Sequence, residues 1–264
     1  MIIRKSQAEI AGMARAGELV AETIALIGEH VQPGVTTGEL DRIGEGFIRD
    51  HGGLPTSKGY RGFPAALCIS PNSMVVHGIP GKHRVEEGDL ISIDVGVTLD
   101  GLIADSAHTF GVGEITPDAR RLLEVGQEAR DAGIAQARPG NHVGDISHAV
   151  QTVVEEAGFS VVRSLVGHGV GRSYHEEPQV PNFGDPGRGS LLQTGMTLAI
   201  EPMITAGGPN VYVHDDDWSI STQDGSLAAH FEHTVAILDD GPRILTQQPL
   251  AAALKSTERS EVHP

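Results

Sequence analysis

The sequence predicts an α+β fold built from two similar halves, with antiparallel strands covered by paired helices. Two observations predict it. Apolar residues recur at helical steps in four segments and at strand steps between them. Part of this pattern also returns at a constant offset of 106 or 107 positions. Pro33-Gly34, Gly38-Glu39-Leu40 and Gly52 reappear as Pro139-Gly140, Gly144-Asp145-Ile146 and Gly158. Gly88, Ile91, Ile93 and Asp94 reappear as Gly195, Leu198, Ile200 and Glu201, so the strand ends in a carboxylate both times. The expected organisation is one domain over 1–250, its halves meeting near residue 115, followed by a polar, frayed tail over 251–264.

Each element has its own signal. Ser6 and Glu9 form a capping box ahead of Ile10, Met13, Val20, Ile24 and Ile27, which keep one helix face apolar. Thr36 and Glu39 repeat the device before Leu40, Ile43 and Phe47. Thr116-Pro117 places a cap and a first-turn proline before a third helix carrying Leu122, Leu123 and Val125. A fourth helix runs from about Gly144 through Ile146, Val150 and Val153. Strands are expected at 66–70, 90–97, 197–200 and 231–238.

Composition narrows the function classes. The formal charge of −16 argues against a broad nucleic-acid surface, which needs a basic stripe. Cys68 is the only cysteine, which excludes an internal disulfide and an all-cysteine zinc site. No uninterrupted apolar run is long enough to span a bilayer, and MIIRKSQAEI lacks the apolar stretch of a secretory signal. A cytoplasmic, membrane-free protein with no nucleic-acid role is expected.

Asp94 and Asp105 lie in otherwise apolar strand sequence, ISIDV and LIADSA. An aspartate there meets a large desolvation cost unless something pairs with it. Asp100-Gly101 between them is a two-residue hairpin turn. If Leu99 faces Leu102, Asp94 lies opposite Ala107 and Asp105 opposite Gly96. Both carboxylates then share one sheet face as diagonal neighbours roughly 7 Å apart. Such a pair holds cations or shares a proton. Glu201 is the repeat partner of Asp94, and Glu232, in FEHT, matches Asp105 in DSAHT. Four carboxylates thus converge on one axis, where two divalent cations would neutralise them. His168, between glycines in GHGVG, offers a nitrogen donor, with His175 a second candidate. Four carboxylates and one imidazole suit Mn, Fe, Co or Zn better than Mg or Ca.

The stretches CISPNSMVVHGIP (68–80), IDVGVTLDGLIADSAHTF (93–110), GHGVGRSYHEEPQV (167–180), AIEPM (199–203) and FEHT (231–234) together resemble the methionine aminopeptidases, within the pita-bread-fold metallopeptidases. The short interval between His175 and Glu201 is similar to the short bacterial form of the first type. The resemblance implies metal ligands Asp94, Asp105, His168, Glu201 and Glu232, with Asp105 and Glu232 bridging two divalent ions. It implies a hydroxide held between the ions that attacks the first peptide bond, with Glu201 carrying its proton. His175 would donate to the oxyanion, and His77 would contact the peptide beyond the scissile bond. Tyr60, Phe63, Cys68, Tyr174 and Trp218 would line a slot for the methionine side chain. The expected partner is a nascent polypeptide beginning with Met, met by a monomer, with ribosome contact left open. Ala104 and His230 stand where relatives commonly carry Gly and Gln, and Phe63 where they often carry Tyr. None of these departures removes a ligand. A related peptidase acting on Xaa-Pro bonds and a non-catalytic binding module are the rival readings.

Overall fold

The structure, a computed structural model, describes residues 1–247. The tail expected at 251–264 lies outside the described residues. Helix α1 (Gln7–His30) begins at Ser6, whose side chain accepts from Glu9 N–H while the Glu9 carboxylate accepts from Ser6 N–H. Helix α2 (Thr37–Asp50) starts with the same reciprocal pair, Thr36 and Glu39. Each such cap satisfies two backbone donors that the first turn leaves free.

Strands β1 (Leu54–Pro55), β2 (Cys68–Pro71), β3 (Met74–Val76), β4 (Leu90–Leu99) and β5 (Leu102–Gly111) follow. The hairpin β4–β5 carries the register expected from its turn: Leu99 opposes Leu102, Asp94 opposes Ala107 and Gly96 opposes Asp105. Asp100 and Gly101 adopt φ of 50° and 78°, the left-handed pair that a two-residue turn of this twist needs. Strand β2 pairs with β4 on its other side, setting Cys68 opposite Asp94. Leu19, Ile24, Leu40 and Ile48 of the two helices pack on Ile91 and Ile93 of this sheet. Each fully buried aliphatic side chain of this kind contributes about 1.5–3 kcal/mol.

The second half repeats the plan. Helix α3 (Pro117–Gln136), capped by Thr116 with Pro117 at its first turn, lies beside α4 (Val143–Glu156). They cover β6 (Ser160–Val161), β7 (Val166–Gly169), β8 (Glu176–Pro181), β9 (Thr197–Ile200) and β10 (Met203–Thr205). Next come β11 (Val211–Val213), β12 (Ile220–Thr222), β13 (Ala228–His230), β14 (His233–Leu238) and β15 (Gly241–Ile244). A five-stranded antiparallel sheet runs β15-β14-β9-β7-β8, and three-stranded sheets run β13-β10-β6 and β11-β12-β3. Ile134, Ile146, Leu198, Val235 and Ile237 form a core on this side.

Two strand expectations need correction. The run at 66–70 is strand only from Cys68, with Ala66 and Leu67 in a bend ahead of it. The run FEHTVAIL is not strand throughout: β14 begins only at His233. At Phe231 and Glu232 the chain leaves its pairing with β10 and crosses to β9, so these two residues belong to neither ladder. The fully buried Phe231 anchors the crossing against α3 and α4.

The seam between the halves uses side-chain hydroxyls. Between β5 and the β13–β14 crossing the backbone donates from Glu232 N–H to Ala107 O. Thr234 Oγ1 accepts from Asp105 N–H and donates to Asp105 O, at 2.9 and 2.8 Å. Thr109 Oγ1 does the same for His230, both at 2.9 Å. Ser106 Oγ donates to Glu232 O at 2.5 Å. The backbone atoms of Asp105 and Glu232, one from each half, are thereby fixed by buried hydroxyl groups.

Candidate metal centre

One cavity of about 200 Å³ brings together all twelve residues singled out in the sequence. Asp94, Asp105, His168, Glu201 and Glu232 line it alongside His77 and His175, with Tyr60, Phe63, Cys68, Tyr174 and Trp218 completing the wall. Ser57 and Arg61 also line it and were not anticipated.

Strand geometry explains the convergence. Alternation on β4 and β5 aims Asp94 and Asp105 to one face. His168 on β7 pairs with Ala199 on β9, which places Glu201 just past the end of β9 on the same side. One atom each from Asp105, His168 and Glu232 lies within 4.8 Å of the others. His168 Nε2 is 3.4 Å from Glu201 Oε1 and 4.0 Å from Asp105 Oδ2.

These groups fit a divalent cation on their own chemistry. Asp105 and Glu232 are 4% and 2% exposed, yet Asp94 Oδ1, Asp105 Oδ1 and Glu232 Oε1 have no hydrogen-bond partner. Buried polar atoms are rarely left so. His168 Nδ1 lies 2.9 Å from Gly169 O, which can only accept, so Nδ1 carries the proton. Nε2 then presents a lone pair to the carboxylates. Lone pair against anion is repulsive unless a cation lies between them. Protein alone raises the carboxyl pKa values: Asp105, Glu201 and Glu232 are pushed well above the carboxylate range, by burial first and by neighbouring carboxylates second. Burial also holds His168 neutral, with its pKa lowered to about 4. It raises the Cys68 thiol, with Asp94 adding to the effect, which suits a wall residue and not a thiolate nucleophile.

The rest of the cavity has two aromatic sides. Phe63 meets Trp218 edge-on at 5.1 Å, and Trp218 meets His77 at 6.1 Å. Tyr60 meets Tyr174 edge-on at 5.2 Å. Tyr174 approaches so closely that a Cβ on Gly96 would lie 2.6 Å from its hydroxyl, so glycine is required opposite Asp105. That hydroxyl lies 3.0 Å from Ser57 Oγ. Tyr60 Oη lies 2.9 Å from His175 Nδ1.

Sequence reading missed the support of the loop that presents Tyr174 and His175. Lys5, just before α1, pairs with Glu176 at 2.5 Å, and both side chains are buried. Glu176 Oε1 also accepts from Arg172 N–H and Ser173 N–H. The partners are 171 positions apart, so no local pattern marks them. Lys5→Met is expected to cost about 3–5 kcal/mol, because it leaves a buried carboxylate without its cation. A calorimetric melting point roughly 10 °C lower is the expected result; an unchanged one refutes the role.

Antiparallel sheets here enclose buried carboxylates and a lone-pair imidazole in a group that could hold a divalent cation. The sequence profile of metallopeptidase family M24 matches residues 11–239, and the chain belongs to that family. It is 53% identical to "Methionine aminopeptidase" of Clostridium perfringens, over 93% of this chain and 99% of that one. It is 49% identical to "Methionine aminopeptidase 1" of Bacillus subtilis, over 94% of this chain and all of that one. The crystal structure of methionine aminopeptidase from Rickettsia prowazekii superposes with a TM-score of 0.92 at 40% identity, covering 94% of this chain and 100% of that one. A prolidase from Pyrococcus furiosus shares the fold at a TM-score of 0.74 and 23% identity, with this chain covering 66% of it. The fold is therefore the pita-bread fold, with its pseudo-twofold halves.

Proposed function

We propose that the protein is a metal-dependent aminopeptidase that removes the initiator methionine from nascent chains. The observation that carries this reading is the joining of a cation-demanding carboxylate cluster to an apolar slot in one small cavity. Its volume of about 200 Å³ is below that of pockets for drug-sized ligands, roughly 300–1,000 Å³. It suits one unbranched side chain, and the aromatic and thiol walls favour a thioether.

Asp94, Asp105, His168, Glu201 and Glu232 would hold two divalent cations, which when bound would lower the pKa of a water and polarise the scissile carbonyl; Co, Mn, Fe and Zn all accept this donor set. Glu201 takes the water's proton and delivers it to the leaving amide nitrogen. Tyr60, by donating to His175 Nδ1, sets the tautomer in which Nε2–H stabilises the developing oxyanion. His77, kept neutral by burial with a pKa of about 4, lines the cavity and would contact the peptide beyond the cleaved bond. Phe63, Cys68, Tyr174 and Trp218 exclude water from the slot. All these groups come from one chain, so a monomer suffices. Among the described residues no helix is long and apolar enough to cross a membrane, and the cytoplasm, where nascent chains leave the ribosome, is the expected compartment.

Incubation of cobalt-loaded protein with Met-Ala-Ser and with Ala-Pro-Ala tests the reading. Free methionine from the first peptide alone is the expected result, and cleavage of only the second assigns an Xaa-Pro peptidase instead. His175→Ala should lower kcat about 10²–10³-fold, as loss of one oxyanion donor does. A smaller than threefold change removes His175 from the mechanism.

A further inference from the structure

Four buried side-chain atoms among the described residues lack a hydrogen-bond partner: Asp94 Oδ1, Asp105 Oδ1, Glu232 Oε1 and His230 Nε2. The first three are carboxylate oxygens that a cation would satisfy. The fourth is a nitrogen to which neither the cavity nor the fold gives a role. His230 is 2% exposed and ends β13. Its backbone is held at both N–H and C=O by Thr109 Oγ1. The imidazole is not among the residues lining the cavity; it stands behind Glu201, with Nε2 3.5 Å from Glu201 Oε2.

Glu201 thus has an imidazole near each oxygen. His168 turns a lone pair toward Oε1, since its own proton is committed to Gly169. Once a bound cation keeps Glu201 ionised, a lone pair on His230 Nε2 would be repelled by Oε2. An N–H at His230 Nε2 instead gives that nitrogen its missing partner and leaves Oε1 as the oxygen facing His168.

We propose that His230 is a positioning residue, which donates its Nε2 proton to Glu201 Oε2 and so fixes the oxygen that Glu201 offers to the cation and the attacking water. The inference rests on the reading of Glu201 as a cation ligand. Partners of this kind typically contribute 10–100-fold to metal affinity or activity.

The test uses the full chain, freed of metal and titrated with Co(II) by calorimetry, beside kinetics on Met-Ala-Ser. His230→Leu removes the donor while keeping bulk. His230→Gln restores a donor on a flexible amide. The leucine variant should bind cobalt about 10–100-fold more weakly and lose kcat with little change in KM, and the glutamine variant should recover most of both. If the leucine variant does not fold, His230→Asn, too short to reach Oε2, takes its place and should show the same deficit. Parent-like cobalt affinity in the leucine or asparagine variant overturns the proposal, as does a glutamine variant no better than leucine. A parent protein that binds no cobalt overturns the reading of the site itself and this proposal with it.

Discussion

Replacing Asp105 by Asn is expected to lower kcat/KM by roughly 10³-fold or more while leaving the metal-free protein at least as stable as the parent. Asparagine keeps the shape, and Thr234 holds the backbone of residue 105 through two hydrogen bonds that the substitution does not touch. What changes is charge. Asp105 lies beside Asp94, Glu201 and Glu232 in a buried cluster, where burial first and neighbouring carboxylates second raise the pKa values of Asp105, Glu201 and Glu232. Without a cation, removing one charge relieves repulsion. With one, it would remove a proposed ligand, and several kcal/mol of transition-state stabilisation would go with it. Each 1.36 kcal/mol is tenfold in rate. Melting curves of the metal-free forms beside kinetics of the loaded forms separate the two effects. Turnover within tenfold of the parent would sink the assignment.

Removal of metal by a chelator is the second large effect, and its sign with pH follows from the same cluster. Asp105, Glu201 and Glu232 have folded-state pKa values raised above those of the unfolded chain. Their stabilising contribution is complete below about pH 4, the ordinary carboxylate range, and is lost as pH climbs through the raised values. His77, His168 and His175 act in the opposite sense. Their lowered pKa values, about 4, 4 and 3, give stability that is complete above about pH 6.5 and lost on acidification. Above about pH 6.5 the histidine contribution is complete, and the raised carboxylate pKa values set the direction of further change. The metal-free protein should lose melting temperature as pH rises from about 6.5 to 8.5. Bound cations reverse the trend, because ligands must shed protons to bind them. At a hundredfold excess over Kd the cation adds about 2.7 kcal/mol, which is roughly 5–10 °C in a chain of this size. That increment should widen with pH. An increment that is constant or shrinks from pH 6.5 to 8.5 contradicts the cluster as the seat of binding.

Much of this centre is legible in the sequence because its determinants are local. Asp100-Gly101 fixes a turn, the turn fixes a register, and the register puts Asp94 and Asp105 on one face. Ser6, Thr36 and Thr116 mark helix starts through bonds spanning three residues. The repeat carries the logic from Asp94 to Glu201. What stayed hidden depends on approach between distant segments. Lys5 meets Glu176, Ser57 meets Tyr174, and Thr234 clamps Asp105 across separations of 117 to 171 positions. Nothing in the neighbourhood of a threonine tells that its hydroxyl will replace a ladder hydrogen bond. The run at Glu232 misled for a related reason: an apolar β-rich stretch reads as one strand even where it changes partners halfway.

The hydroxyl-bonded seam has a mechanical corollary. Asp105 sits on one lobe and Glu232 on the other, and Thr234 and Thr109 stitch the lobes together beside them. Neither lobe holds all of the proposed ligands, so affinity for cations would itself gauge how well the lobes are docked. A chain severed in the connection ahead of Pro117 would be expected to regain its ion-binding only when the two pieces close on each other, the ions serving as the clasp.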